Sequence, residues 1–176
     1  VGEDGRNRLL LHDEPYDVIV SQPSDPWLSG AANLFTQEFF QEGRAALTPD
    51  GIFCQWIQLY SLEPELFRSL LATFASVFED VHIFRPPGTQ EVLVLGARKR
   101  LRFDVGKLAQ AGARPAMASL LQRAGLRQGS DVLSLHLLGG DDLRAWVKGA
   151  RFNTDDNLHV ELAAPRSLYT GLDAAA

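Results

Sequence analysis

Three β-branched residues in a row, Val18-Ile19-Val20, stand between Tyr16-Asp17 and the turn-rich Gln22-Pro23-Ser24-Asp25-Pro26-Trp27. A continuous run of this kind predicts a strand buried on both faces, as found inside a parallel sheet. The residues after it narrow the choice. Asn33 to Leu47 places Leu34, Phe35, Phe39, Ala46 and Leu47 roughly on one helical face, and Thr48-Pro49-Asp50-Gly51 reads as the turn that ends it. Ile52 to Ile57 is a second apolar strand. Glu63-Pro64-Glu65 opens the next helix, with Pro near the first turn and acids at the positive end of the dipole. Leu66, Leu70, Phe74 and Val77 then recur at helical spacing. Val81 to Phe84 is a third strand, Pro86-Pro87-Gly88 a tight turn, and Glu91 to Ala97 a fourth strand.

This order predicts an α/β fold. Strands joined by helices become parallel neighbours through right-handed crossovers, and the last pair, joined by a turn, is antiparallel. The pattern is the C-terminal half of a Rossmann-like doubly wound sheet, mostly parallel with one antiparallel strand, over residues 1–100. Residues 101–176 read as a helical extension packing on it, with the Leu133 to Leu138 run as core. Gly5 to His12 reads as a short helix, Asn153 to Asn157 as a polar turn with Asp155 and Asp156 solvated, and Leu158 to Leu162 as a short final strand.

Composition limits the function. The chain has 176 residues, room for one ordinary domain, and a net charge of −5, which argues against nucleic acid and suits a cationic ligand. A lone Cys54 excludes an intrachain disulfide, and His12, His82, His136 and His159 lack metal-ligand spacing, so no metal is expected. No apolar run approaches the ~20 residues of a membrane span. The N-terminus has neither a secretory signal pattern nor an initiator Met, as expected of a fragment. Were Val1 the true start, Tyr16 to Ser21 would be an exposed sheet edge, and the chain would dimerise through it or aggregate.

Ligands of open α/β sheets bind beyond the carboxyl ends of the strands. That rule places Asp4, Gln22, Ser24, Asp25 and Gln55 along one rim. Each has a plainer reading as well: Asp4 as a helix N-cap, Asp25 as the start of a turn, Gln55 as the donor or acceptor of a structural hydrogen bond.

Asp4-Gly5-Arg6, the segment Tyr16 to Trp27, Leu34-Phe35 and Gly51-Ile52-Phe53-Cys54-Gln55 together resemble the spermidine synthase family, whose fold is that of class I S-adenosylmethionine-dependent methyltransferases. The resemblance implies that Asp4 and Gly5 contact the adenine of decarboxylated S-adenosylmethionine or S-adenosylmethionine, a co-substrate rather than a tightly held cofactor. It implies that the Gln22 to Asp25 segment, Ser24 included, faces the reacting groups, and that Gln55 lines the amine site. The partner implied is a small cationic amine, in a homo-oligomeric transferase of polyamine biosynthesis. Ser21 to Trp27, and Asn153 to Asn157 followed by Glu161 and Ala164-Pro165-Arg166, resemble a bacterial spermidine-synthase-like subgroup often fused to membrane segments. That implies a cytoplasmic protein, or the cytosolic domain of a longer membrane-attached one.

In that chemistry an amine attacks a methylene next to a sulfonium, and a carboxylate takes the amine's proton. Here Gln22 stands where the resemblance puts the base, and an amide does not accept a proton at neutral pH. Asp25 matches the second acid, fit to hold an ammonium or to serve as substitute base. The loop Arg85 to Gln90 lacks the family's substrate-lining tyrosine. Two functions stay open: an aminopropyltransferase, or a non-catalytic or methyltransferase-like binding and assembly domain.

Overall fold

The computed structural model describes residues 5–11, 14–26, 28 and 30–170. Asp4, His12 and Trp27 lie outside these, so the adenine contact expected of Asp4 falls outside the described residues.

The chain runs α1 (Gly5–Leu10), β1 (Tyr16–Ser21), a 3₁₀ turn (Ala32–Phe35), α2 (Gln37–Ala45), β2 (Leu47–Gln58), α3 (Pro64–Val77), β3 (Asp80–Phe84) and β4 (Glu91–Ala97). Then follow α4 (Val105–Gly112), α5 (Pro115–Arg123), a second 3₁₀ segment (Gly129–Leu135), β5 (His136–Gly139), α6 (Gly140–Val147) and α7 (His159–Thr170). Five strands form one mixed sheet in the order β1-β2-β4-β3-β5. β1 and β2 are parallel, while β4 lies antiparallel between β2 and β3. The tight Pro86-Pro87-Gly88 turn, with Gly88 at φ +70°, allows that return. β5 adds a second antiparallel strand beside β3.

Two helices start as their sequences dictate. Thr36 caps α2, its hydroxyl accepting from the Phe39 N–H, and Pro64 begins α3 where no N–H is needed. Their apolar faces cover one side of the sheet, where Phe39, Phe40, Phe53, Phe74 and Phe78 interlock. Phe40 and Phe74 meet edge-on with centroids 4.9 Å apart, and Phe74 and Phe78 lie 4.5 Å apart. Gly96 of β4 lies directly beneath these last two rings, and a Cβ there would collide with both.

Several expectations are corrected. β1 is an edge strand whose second face is open: Val18 is 59% exposed and Val20 67%. Thr48 to Gly51 belong to β2 and bulge outward, as the register passes from Tyr16–Leu47 to Val18–Ile52. No residue of Leu133 to Leu138 is fully buried, because the segment winds along the sheet margin. Leu158 to Leu162 starts a helix rather than a strand, because the side chains of Asn157 and Asn153 accept the His159 and Val160 N–H groups. Asp155 and Asp156 are exposed as expected, and Asp155 in addition pairs with Arg6.

Candidate active site at the strand ends

Because β1 and β2 are parallel with Ser21 opposite Gln55, their carboxyl ends open on the same rim. The chain leaving β1 buries Pro23 and Pro26, which pin the loop, while Gln22 and Ser24 stay exposed and Asp25 is half-buried. The Leu28 N–H donates to the Asp25 carbonyl at 3.0 Å, closing the turn. Asp25 is thus a turn residue whose carboxylate remains available.

α1 brings Gly5 to this end. A cavity of 210 Å³ lies between Gly5, Ser21, Gln22 and Pro23, floored by Leu9, Leu34 and Phe39. The structure therefore unites Gly5 with Gln22. Ser24, Asp25 and Gln55 do not line this cavity. Gln55 shares the covered sheet face with Phe53 and Ile57 and is 0% exposed. Its Nε2 donates to the Trp56 carbonyl at 3.2 Å, and its Oε1 has no hydrogen-bond partner among the described residues.

Asp25 keeps different company. The Tyr60 hydroxyl has its pKa raised, first by burial, then by the negative charge of Asp25, then by that of Glu91. Glu91 opens β4 directly opposite Gln58, and its Oε2 accepts the Trp56 indole N–H at 3.0 Å. The strand-end rule covers Trp56 and Gln58, within Gln55 to Leu59, but marks neither Tyr60 nor Glu91. Trp56 and Gln58, two apart in β2, share a face, and Tyr60 lies in the turn beyond the strand.

Two further groups bear on chemistry. Burial pushes the Cys54 thiol above its ordinary pKa, which argues against a nucleophilic role. At the opposite edge of the sheet, β3 and β5 bring His82 to His136, with Nδ1 2.9 Å from Nε2, and His82 Nε2 stands 3.1 Å from Asp80 Oδ2. No three side chains among the described residues form a metal-ligand group. No described helix is long and apolar enough to cross a membrane.

An α/β chain with this mixed sheet, and with a cavity where β1 ends, is built like part of a Rossmann-type fold. Comparison with known proteins narrows the class. Residues 1–87 match the model of the spermine/spermidine synthase domain. A polyamine aminopropyltransferase of Synechococcus sp. is 59% identical over 70 residues, which are 35% of this chain and 22% of that enzyme. One of Moorella thermoacetica is 26% identical over 102 residues, 55% of this chain and 36% of the enzyme. Among solved structures, spermidine synthase from Thermotoga maritima superposes with a TM-score of 0.55 at 18% identity, over 82% of this chain and 48% of that one. A probable spermidine synthase from Corynebacterium glutamicum gives 0.52 at 19%, over 87% and 52%. The matched stretches thus span about a third or less of the curated relatives and about half of the solved structures. The first half of the chain is thus similar to a spermidine synthase domain.

Proposed function

We propose that this domain takes part in aminopropyl transfer from decarboxylated S-adenosylmethionine to a small amine. The observation that carries the reading is the convergence of Gly5, Ser21 and Gln22 on one strand-end cavity, with Asp25 in the next turn. Gly5 and Asp4 would hold the nucleotide side. Asp25 would hold or deprotonate the amine, and Gln22 would orient it through its amide. Gln55, paired in register with Ser21, would offer its unpartnered Oε1 to the amine. Alignment of two bound substrates supplies much of the rate in such a reaction, which tolerates a weak base better than a chemistry driven by proton transfer. The domain would act in the cytoplasm, alone or as the cytosolic part of a longer chain.

Calorimetry on the full-length protein with decarboxylated S-adenosylmethionine, S-adenosylmethionine and methylthioadenosine tests this. The first and third should bind more tightly than the second, and binding of none of them overturns the reading. Gln22 in the base position favours a second reading, a binding or assembly domain that keeps the fold without the reaction. Aminopropylated product from the wild-type protein excludes it.

A further inference from the structure

We propose that the space between the open face of the sheet and the C-terminal helices is a second binding site, which takes a free aliphatic carboxylate with its chain inside and its head group at Arg102 and Lys107. The proposal goes beyond the transfer reaction and does not depend on it.

Register sets the floor. Leu93 lies opposite Trp56 and Phe84, and Leu95 opposite Cys54 and His82, so these side chains share the face of the sheet turned away from the phenylalanine cluster. α4 and the 3₁₀ segment before β5 form the roof through Leu108, Leu133 and Leu135. They do not close down on the floor: a cavity of 530 Å³ remains, within the size range of small-molecule sites. Packed interiors leave few voids larger than a water, and water in an apolar hollow finds no hydrogen-bond partners on Leu and Phe side chains.

The hollow is held open by its own surroundings. Asp80 is 5% exposed, and its Oδ2 accepts the Leu101 N–H at 2.7 Å and lies 3.1 Å from His82 Nε2. Phe103 packs edge-on against the His82 ring at 5.0 Å and the Phe84 ring at 5.8 Å. One wall, Leu101 to Phe103, is thereby fixed by a buried carboxylate and two ring contacts. At the roof, a Cβ on Gly112 would run into the backbone of Gly129, and one on Gly129 into that of Leu108, so α4 and the 3₁₀ segment meet backbone to backbone. Neither can tilt into the cavity without parting that contact.

Charge selects the head group. Arg102, Asp104 and Lys107 are the charged residues of the lining, and all three are exposed, which places them at the mouth. Asp104 Oδ1 accepts the Lys107 backbone N–H at 3.0 Å as the N-cap of α4. Among the described residues neither Arg102 nor Lys107 forms an ion pair. Two unpaired cations over an apolar hollow fit a carboxylate carried on an aliphatic chain.

The test is calorimetric titration of the full-length protein with octanoate, 1-octanol and butyrate. Octanoate should bind, and butyrate, shorter by four methylenes, should bind about tenfold more weakly or worse. Arg102→Gln together with Lys107→Gln should weaken octanoate by about tenfold and leave 1-octanol unchanged. Ala111→Phe, which fills the cavity from α4, should abolish binding of both while the circular dichroism stays that of wild type. A wild type that binds no octanoate, as when another part of the protein fills the cavity, overturns the proposal. So does an octanoate affinity that is unchanged in the double variant, or that survives in a folded Ala111→Phe protein.

Discussion

Arg6 Nη2 lies 2.6 Å from Asp155 Oδ2, so the residue after Gly5 is clamped to the turn that precedes α7. The same guanidinium meets Glu42 of α2 through Nε at 2.8 Å. The two acids raise the Arg6 pKa, chiefly by hydrogen bonding, and the Arg6 hydrogen bond in turn holds the Asp155 carboxyl below the usual carboxylate range. Arg6→Leu should therefore cost roughly 1–3 kcal/mol in urea unfolding, the scale of hydrogen bonds to charged groups. It should also weaken methylthioadenosine more than amine, since it releases the start of α1. A variant that unfolds like wild type would show the clamp to be a solvent-screened contact.

Gly96→Ala should destabilise the domain by about 1–3 kcal/mol, because the new methyl meets the Phe74 and Phe78 rings. Gly88→Ala, with open space around the Cβ, should act only through its left-handed φ of +70°. Thermal unfolding of both separates crowding from backbone strain. Adding Phe78→Leu to Gly96→Ala should recover part of the loss.

Stability should fall below about pH 6.5. Burial first and the charge of His82 second hold His136 below its ordinary pKa, and burial with Arg151 does the same for His159. A histidine depressed in the folded state takes up its proton more readily when unfolded. Its contribution is therefore present above the unfolded value near 6.5 and is lost as pH falls through the folded one. Melting temperatures across pH 5–8 should show this slope, and His136→Gln should flatten it. A slope unchanged by His136→Gln would assign it to other groups.

Asn153 ties four elements together. Its Nδ2 donates to the Phe35 carbonyl at 3.0 Å, its Oδ1 accepts the Val160 N–H at 3.0 Å, its own N–H reaches Thr73 Oγ1 at 2.8 Å, and its carbonyl accepts from Gln37. Asn153→Ala strands two buried backbone groups and should cost about 2–4 kcal/mol. Asn153→Asp keeps the acceptor and should cost less on chemical unfolding.

The 176-residue chain by itself should self-associate through β1, the edge strand of the sheet among the described residues, where Val18 and Val20 lie exposed. Val20→Lys should yield a monomer by light scattering with the circular dichroism of the parent. A parent that stays monomeric at high concentration would contradict this.

What could be read in the sequence was what local pattern controls. The β-branched run of β1, the Pro64 start of α3 and the limits of β4 follow from residues near one another in the chain. The site was legible only in part, for the same reason. Gln22 and Asp25 follow a strand and announce themselves. Glu91 depends on β4 folding back against β2, and the His82–His136 contact depends on β5 reaching β3, pairings that no periodicity encodes. Leu158 to Leu162 alternates like a strand but is captured as a helix by two asparagine side chains, one of them seven residues before the N–H it accepts.

The central claim is that the strand-end site supports aminopropyl transfer with its usual base replaced. Mass spectrometry of the products formed from decarboxylated S-adenosylmethionine and 1,4-diaminobutane, by full-length wild type and Gln22→Asp, tests it most directly. We expect spermidine from both, with the Gln22→Asp rate higher by about 10²-fold or more, the usual effect of a positioned general base. No spermidine from either protein, under conditions where both are folded, would contradict the account.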